Sequence, residues 1–149
     1  MTGAAFIRDD GDREAAGFKG KAADCVARSV AIASGLGYAH VYNELAAGNA
    51  SQRRTKGARK HRRTARNGIT TQRAWFKRFM ERIGFRWVPT MSIGSGCKVH
   101  LRAEELPAGR LVVMLSGHAT AMIDGVIHDT YDPSRDGTRC VYGYYVREA

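Results

Sequence analysis

The pattern of apolar positions divides the chain into a helical first half and a β-rich second half. Apolar residues about one turn apart predict a helix that begins at Cys25, follows Asp24 at the N-cap, and ends near Gly35. Two more helices are predicted over 38–46 and from Thr70 or Thr71 to Gly84. Short apolar runs then predict strands over 85–88, 111–115, 118–123, 126–130 and 141–146. The order favours an α+β fold, with N-terminal helices packed on a C-terminal antiparallel sheet.

The pair Asp124-Gly125 is a two-residue turn signal that predicts a β-hairpin and fixes its register. Side chains alternate between the two faces of a strand, and opposed residues share a face. With this turn, Asp129 lies diagonal to His118 on one face. The register therefore selects His118 rather than His128, and Asp129 rather than Asp132, as partners in a possible site.

Cys25 is the candidate nucleophile, because the first turn of a helix lowers the pKa of a thiol. His118 is the candidate general base and acid, and Asp129 is the candidate group that orients its ring. Taken alone, Cys25 would more often be a small buried core residue. The hairpin that carries His118 and Asp129 makes the thiol site the favoured interpretation.

The residues around this constellation resemble the papain-like cysteine peptidase superfamily, above all its small bacterial and phage members, which include bacteriocin-leader and cell-wall peptidases. The stretches concerned are Asp24-Cys25-Val26-Ala27-Arg28, Gly117-His118-Ala119-Thr120-Ala121, Ile123-Asp124-Gly125-Val126-Ile127-His128-Asp129-Thr130 and Gly137-Thr138-Arg139-Cys140-Val141-Tyr142-Gly143-Tyr144. These stretches are also similar to a group of uncharacterised bacterial and phage proteins over most of the chain. The superfamily resemblance implies a papain-like fold and a cofactor-free hydrolase. Its substrate would be a peptide or protein, cleaved at a peptide or isopeptide bond through Cys25, His118 and Asp129.

The predicted oxyanion side of the site departs from the papain-like pattern. Such enzymes often place a Gln about six residues before the Cys, where it helps to bind the oxyanion. Here that position is Lys19. The resemblance therefore implies Lys19 or Lys21 as a donor beside the backbone N–H of Cys25. Asp24 and Thr120 complete the predicted oxyanion and substrate-binding set.

A length of 149 residues with 44% apolar residues fits one domain over 1–149. Within it we expect a polar leader over 1–23, a basic loop over 52–69 and a β-sheet half over 85–149. The net charge of +10 comes mostly from residues 53–66, which hold eight positive charges and no acid. They are Arg53, Arg54, Lys56, Arg59, Lys60, Arg62, Arg63 and Arg66. This segment is either a solvated loop or a contact surface for nucleic acid or another polyanion.

Two other classes of function stay open at this point. One is a catalytically inactive basic protein that binds a polyanion through 53–66, and the other is a phage structural or accessory protein. The chain shows no apolar run of membrane-spanning length and no secretory signal pattern. The expected compartment is the cytoplasm, or the virion if the chain is phage-encoded.

The remaining cysteines permit more than one interpretation. Cys97 and Cys140 either pair or stay free, depending on whether the fold brings them together. A zinc site built on Cys97 and His100 would need two further ligands from scattered positions, so it is disfavoured. A calcium loop over 129–136 lacks a glutamate at the right distance. No metal is therefore expected.

Overall fold

The computed structural model describes residues 5–15, 17, 24–50, 74–92 and 94–147. Within these ranges three α-helices pack against a six-stranded sheet, so the fold is α+β. The helices are α1 (Cys25–Ser34), α2 (Tyr38–Ala50) and α3 (Ala74–Arg82). The strands are β1 (Ala5–Arg8), β2 (Phe85–Pro89), β3 (Arg110–Leu115), β4 (His118–Ile123), β5 (Val126–Asp129) and β6 (Gly143–Arg147), with a single 3₁₀ turn over Ala103–Glu105.

The sheet has the strand order β1-β5-β4-β3-β6-β2 and is mixed rather than wholly antiparallel. Strand β1 pairs parallel with β5, whereas the other neighbouring strands are antiparallel. The prediction of a purely antiparallel, C-terminal sheet is therefore wrong at one edge, since β1 comes from the predicted leader. All four residues of β1 are exposed, so this strand has no buried alternation that the sequence could reveal.

The β4–β5 hairpin has the predicted register. Met122 pairs with Ile127, and Ile123 pairs with Val126. The turn residues Asp124-Gly125 have φ values of 48° and 83°. Two successive positive φ values are what a type I′ turn requires, and its twist matches that of the strands. The turn thus fixes which side chains of β4 and β5 share a face.

Each face of the sheet is covered by its own apolar cluster. On one face the three helices bury residues that include Val30, Leu45 and Phe76 against Ala121 of β4. The opposite face is covered by the segment before β3 and the segment before β6. That cluster is Leu101, Leu106, Leu111, Val113, Leu115, Met122, Ile127 and Val141. Because both faces are closed, the ends of the strands are the places where polar side chains can gather.

Helix α2 continues beyond its predicted end. The sequence predicts a stop before Gly48, but the helix runs through this residue to Ala50. A Cβ atom at position 48 would overlap the ring of Trp75 on α3. Gly48 therefore allows two helices to approach closely and is not a stop signal here. The start of α3 predicted at Thr70 or Thr71 lies outside the described residues.

Helix α1 is held at its C-terminal end by the sheet. Gly35 adopts φ 76° and donates its N–H to the carbonyl of Ala31, as expected for a left-handed cap. Arg147 donates to the carbonyl of Ser34 at 2.6 Å, and Arg110 contacts the carbonyls of Ile32 and Ala33, both at 3.3 Å. These contacts fix the helix along β4, with Cys25 at its other end. Among the described helices, none has the length and apolarity needed to cross a membrane.

Candidate active site

Cys25 is the first residue of α1 and is partly buried. The His118 side chain and the backbone N–H of Ala119 lie beside its thiol, and both lower the pKa of that thiol. Both partners are at the beginning of β4, the strand along which α1 packs. The helix and the strand therefore bring together two residues that are 93 positions apart in the sequence.

The other side of the imidazole faces Asp129, the last residue of β5. His118 Nε2 and Asp129 Oδ2 are 2.7 Å apart. Because Nε2 faces this carboxylate, Nδ1 is the ring nitrogen that is available to Cys25. Both side chains are well buried, at 8% and 3% exposed. The structure thus brings Cys25, His118 and Asp129 together in one site.

The electrostatics favour a charged Cys–His pair. Burial by itself would raise the pKa of the Cys25 thiol. The hydrogen bonds from His118 and Ala119, with the positive charges of His118 and Arg28, outweigh burial and hold that pKa below its usual value. Burial would also lower the pKa of His118, but its contacts with Asp129 and Cys25 raise it to about 9. Between these two pKa values the thiolate and the imidazolium coexist.

Asp129 is held as a carboxylate by several donors. Burial would raise its pKa, but hydrogen bonds from His118 and Thr120 outweigh this and lower it. Thr120 Oγ1 donates to Asp129 Oδ2 at 2.6 Å, and the Thr130 N–H donates to Oδ1 at 2.7 Å. Thr120 was expected to contact substrate. Instead it is 1% exposed and bonded to Asp129, so its place in the fold is that of a support for the carboxylate.

Asp24 occupies the N-cap position of α1 as predicted, but its side chain does not cap the helix. Its carboxylate is 1% exposed and binds the Arg28 guanidinium, the Tyr38 hydroxyl and Arg13 Nε, the last at 3.2 Å. A carboxylate closed off by these donors cannot itself donate to an oxyanion. The assignment of Asp24 to the substrate-binding set is therefore corrected to a buried ion-pair partner.

Other predicted site residues cannot be placed. Lys19 and Lys21, the expected oxyanion donors, lie outside the described residues. The same holds for all eight cationic residues of the basic segment, at positions 53–66. Of the predicted oxyanion set, the backbone N–H of Cys25 is described, and at the first position of a helix it has no intrahelical acceptor.

The imidazole has an aromatic neighbour that the predicted site does not include, although the hairpin register places it on the same face. The ring of Tyr131 lies over that of His118, with the ring centroids 5.2 Å apart and the planes at 41°. Tyr131 is 50% exposed, so a ring beside His118 is accessible from solvent. The predicted strand pattern does place Tyr131 two residues after Asp129, which was the available signal.

Cys97 and Cys140 form a disulfide, which settles the alternatives left open for them. Their sulfurs are committed to each other, so neither supplies a thiolate to zinc. Cys25 remains the free cysteine. In the part of the chain that the structure describes, no group of three or more His, Cys, Asp and Glu side chains is placed to hold a metal ion.

Comparisons with known proteins add no assignment, since no protein-family model, curated protein or solved structure matches the chain. What the site can do must be argued from its own chemistry. A thiolate paired with an imidazolium is a nucleophile, and the imidazolium is an acid placed beside it. Such a pair can attack a carbonyl carbon and protonate the leaving group.

Proposed function

We propose that this chain is a cysteine-dependent hydrolase that cleaves a peptide, isopeptide or related amide bond. The observation that carries the proposal is the placement of the Cys25 thiol beside His118, whose Nε2 lies 2.7 Å from Asp129 Oδ2. The pKa of Cys25 is lowered and that of His118 is raised to about 9, so the site favours the thiolate and the imidazolium over an unpaired thiol and imidazole. Perturbed pKa values at mutually hydrogen-bonded groups are typical of catalytic sites.

Each residue has a defined part in the proposed reaction. The Cys25 thiolate attacks the carbonyl carbon, and the backbone N–H of Cys25 donates to the oxyanion that forms. His118 gives its proton to the leaving amine, which leaves a thioester on Cys25. Water then attacks the thioester, with His118 as base, and the carboxylic acid product leaves. Asp129 holds the ring and stabilises its charged form.

The proposal includes a papain-like architecture. Its support is the chain order, in which a Cys-bearing helix precedes a strand with His and then a strand with the acid. The contact of His118 Nε2 with Asp129 adds to it, since it leaves Nδ1 of the same ring available to the thiol. The parallel edge strand β1 lies beyond β5 and leaves this order unchanged.

The first test is the reactivity of Cys25 toward iodoacetamide at pH 6. An ordinary thiol with a pKa near 8.5 is almost wholly protonated there, whereas an ion-paired thiolate reacts. We expect wild-type Cys25 to react at least about tenfold faster than free cysteine, after allowing for the lower nucleophilicity of a low-pKa thiolate. His118→Gln should abolish the difference, and Cys25→Ser should remove labelling. Reaction of the wild-type protein no faster than free cysteine would end the proposal.

Turnover is tested on a mixed peptide library by mass spectrometry of the products. Cleavage or deamidation by the wild-type protein that disappears in Cys25→Ala would support hydrolysis, and the products would reveal the bond attacked. Tyr131→Ala is the matched variant for substrate contact. Its ring covers His118 and is half exposed, so its removal should change product preference while Cys25 still reacts.

A second candidate function rests on the charge of the segment over 53–66. Eight cationic residues without an acid favour binding of nucleic acid or another polyanion. Replacement of all eight by Gln should abolish a salt-dependent affinity for DNA. If affinity is absent or does not fall with salt, this function is excluded. Because the Cys25 test is independent of this segment, the two functions can be assessed separately.

A further inference from the structure

The acidic member of the triad has a neighbour that the predicted site did not include. Arg28 Nη2 lies 3.8 Å from Asp129 Oδ1, and Arg28 Nη1 is paired with Asp24. The side chain of Arg28 is 12% exposed, so its charge is largely shielded from water. Arg28 is three residues after Cys25, so the two lie on the same face of α1. A single guanidinium thus contacts two buried carboxylates beside the thiol.

Asp24, at the other end of this group of charges, is also surrounded by partners. In addition to Arg28, the Asp24 carboxylate pairs with Arg13 and accepts a hydrogen bond from the Tyr38 hydroxyl. Near Arg13, the N-terminal segment packs on α1 at Gly11, where a Cβ atom would lie 3.2 Å from the carbonyl oxygen of Arg28. Three residues therefore hold the Asp24 carboxylate in place. The carboxylate in turn holds Nη1 of the Arg28 guanidinium.

We propose that Arg28 is a positioning residue of the triad, which holds a positive charge beside Asp129 and Cys25 because Asp24 anchors its guanidinium. This inference rests on the proposed hydrolase function. The charges alternate from Arg13 through Asp24, Arg28, Asp129 and His118 to Cys25, so each buried charge has a neighbour of opposite sign. A planar fork with several donors suits such a bridge between two carboxylates better than a single ammonium would.

The positive charge of Arg28 acts on two groups. It favours the thiolate of Cys25, and its ion pair with Asp129 favours the carboxylate opposite His118. The groups that face these two are His118 and Arg28 around the thiol, with Thr120 and Thr130 also bonded to Asp129. Of these, Arg28 supplies a positive charge from outside the set Cys25, His118 and Asp129.

A purely structural ion pair would account for the same contacts, so the test needs a readout beyond stability. The rate of Cys25 alkylation is measured from pH 4 to pH 10 in wild type, Arg28→Gln and Arg28→Lys. Arg147→Gln is the matched control, because it removes an arginine bonded to the opposite end of the same helix. Thermal unfolding of each variant is recorded in parallel.

We expect the acidic limb of the profile to move up by about one pH unit in Arg28→Gln. In Arg28→Lys, which keeps the charge, the acidic limb should return at least halfway to its wild-type position. In Arg147→Gln the acidic limb should stay at the wild-type position. If Arg28→Gln does not fold, Arg28→Met, which keeps the apolar stem, takes its place. An unshifted limb in the neutral variant, or an equal shift in Arg28→Lys, would overturn the positioning role. A wild-type profile like that of free cysteine would instead refute the hydrolase function itself.

Discussion

Replacement of Asp129 by Asn removes one negative charge from the site and little volume. In the wild-type protein, His118 donates from Nε2 to Asp129 Oδ2 at 2.7 Å, and its pKa is raised to about 9. Against an ordinary histidine value of about 6.5, this is a stabilisation of the imidazolium of roughly 3 kcal/mol. A carboxylate beside a titrating group contributes about 1–3 pH units of such a change. The pH above which the Cys–His ion pair is lost should therefore fall by about 1–3 units in Asp129→Asn.

The assay is the pH profile of Cys25 alkylation, combined with NMR titration of the His118 ring. Because the thiol and the imidazole are coupled, each limb of the profile belongs to the pair and not to one residue. Asp136→Asn is the control, since Asp136 is an exposed carboxylate on the loop after β5. A basic limb that stays near pH 9 in Asp129→Asn would show that the carboxylate does not hold the proton on His118.

The same substitution should change stability in a defined pH range. The raised pKa of His118 contributes stability that is fully present below about pH 6.5 and is lost as the pH rises through about 9. The lowered pKa of Asp129 contributes stability above its ordinary value near 3.8 that is lost in acid. Asp129→Asn should therefore destabilise the protein most between these limits. An equal loss at pH 3 and pH 6 would contradict the electrostatic account.

Three further predictions concern the fold and are measured by urea unfolding. Reduction of the Cys97–Cys140 disulfide opens a loop of 43 residues and should lower the free energy of unfolding by up to about 4 kcal/mol; an unchanged midpoint in dithiothreitol would contradict this. Gly48→Ala should cost about 1–3 kcal/mol because the Trp75 ring occupies the Cβ position, although Ala is the better helix former; a more stable variant would refute the packing argument. Phe76→Ala, at a fully buried ring, should cost about 3–5 kcal/mol, and a loss below about 1 kcal/mol would show that the core collapses around the gap.

The features predictable from the sequence are those with a local cause. The turn Asp124-Gly125 fixes a register by its own backbone preferences, and that register alone places His118 diagonal to Asp129. The helical spacing in α3 likewise predicts its buried face, which includes Trp75 and Phe76. In each case the signal and its consequence lie within about a dozen residues, where propensity and periodicity act directly.

The features that escaped prediction depend on contacts between distant parts of the chain. Strand β1 forms because an edge is available beside β5, and its exposed residues carry no pattern of their own. Gly48 lies within a helix because Trp75 packs against it. The sequence near position 48 contains no sign of this contact. Asp24 has the chemistry of an N-cap, but Arg28 and Tyr38 offer its carboxylate stronger partners than the helix amides.

The burial of so many charges bears on what the site is for. Removal of ionised groups from water is costly, and apolar side chains of similar size are often at least as stable in their place. Asp24 and Asp129 are 1% and 3% exposed, and Arg28 between them is 12% exposed. The alternation of charge offsets the desolvation of each group without making the cluster an obvious source of stability. The proposed reactivity of Cys25 gives this cluster of buried charges a role that the stability of the fold does not require.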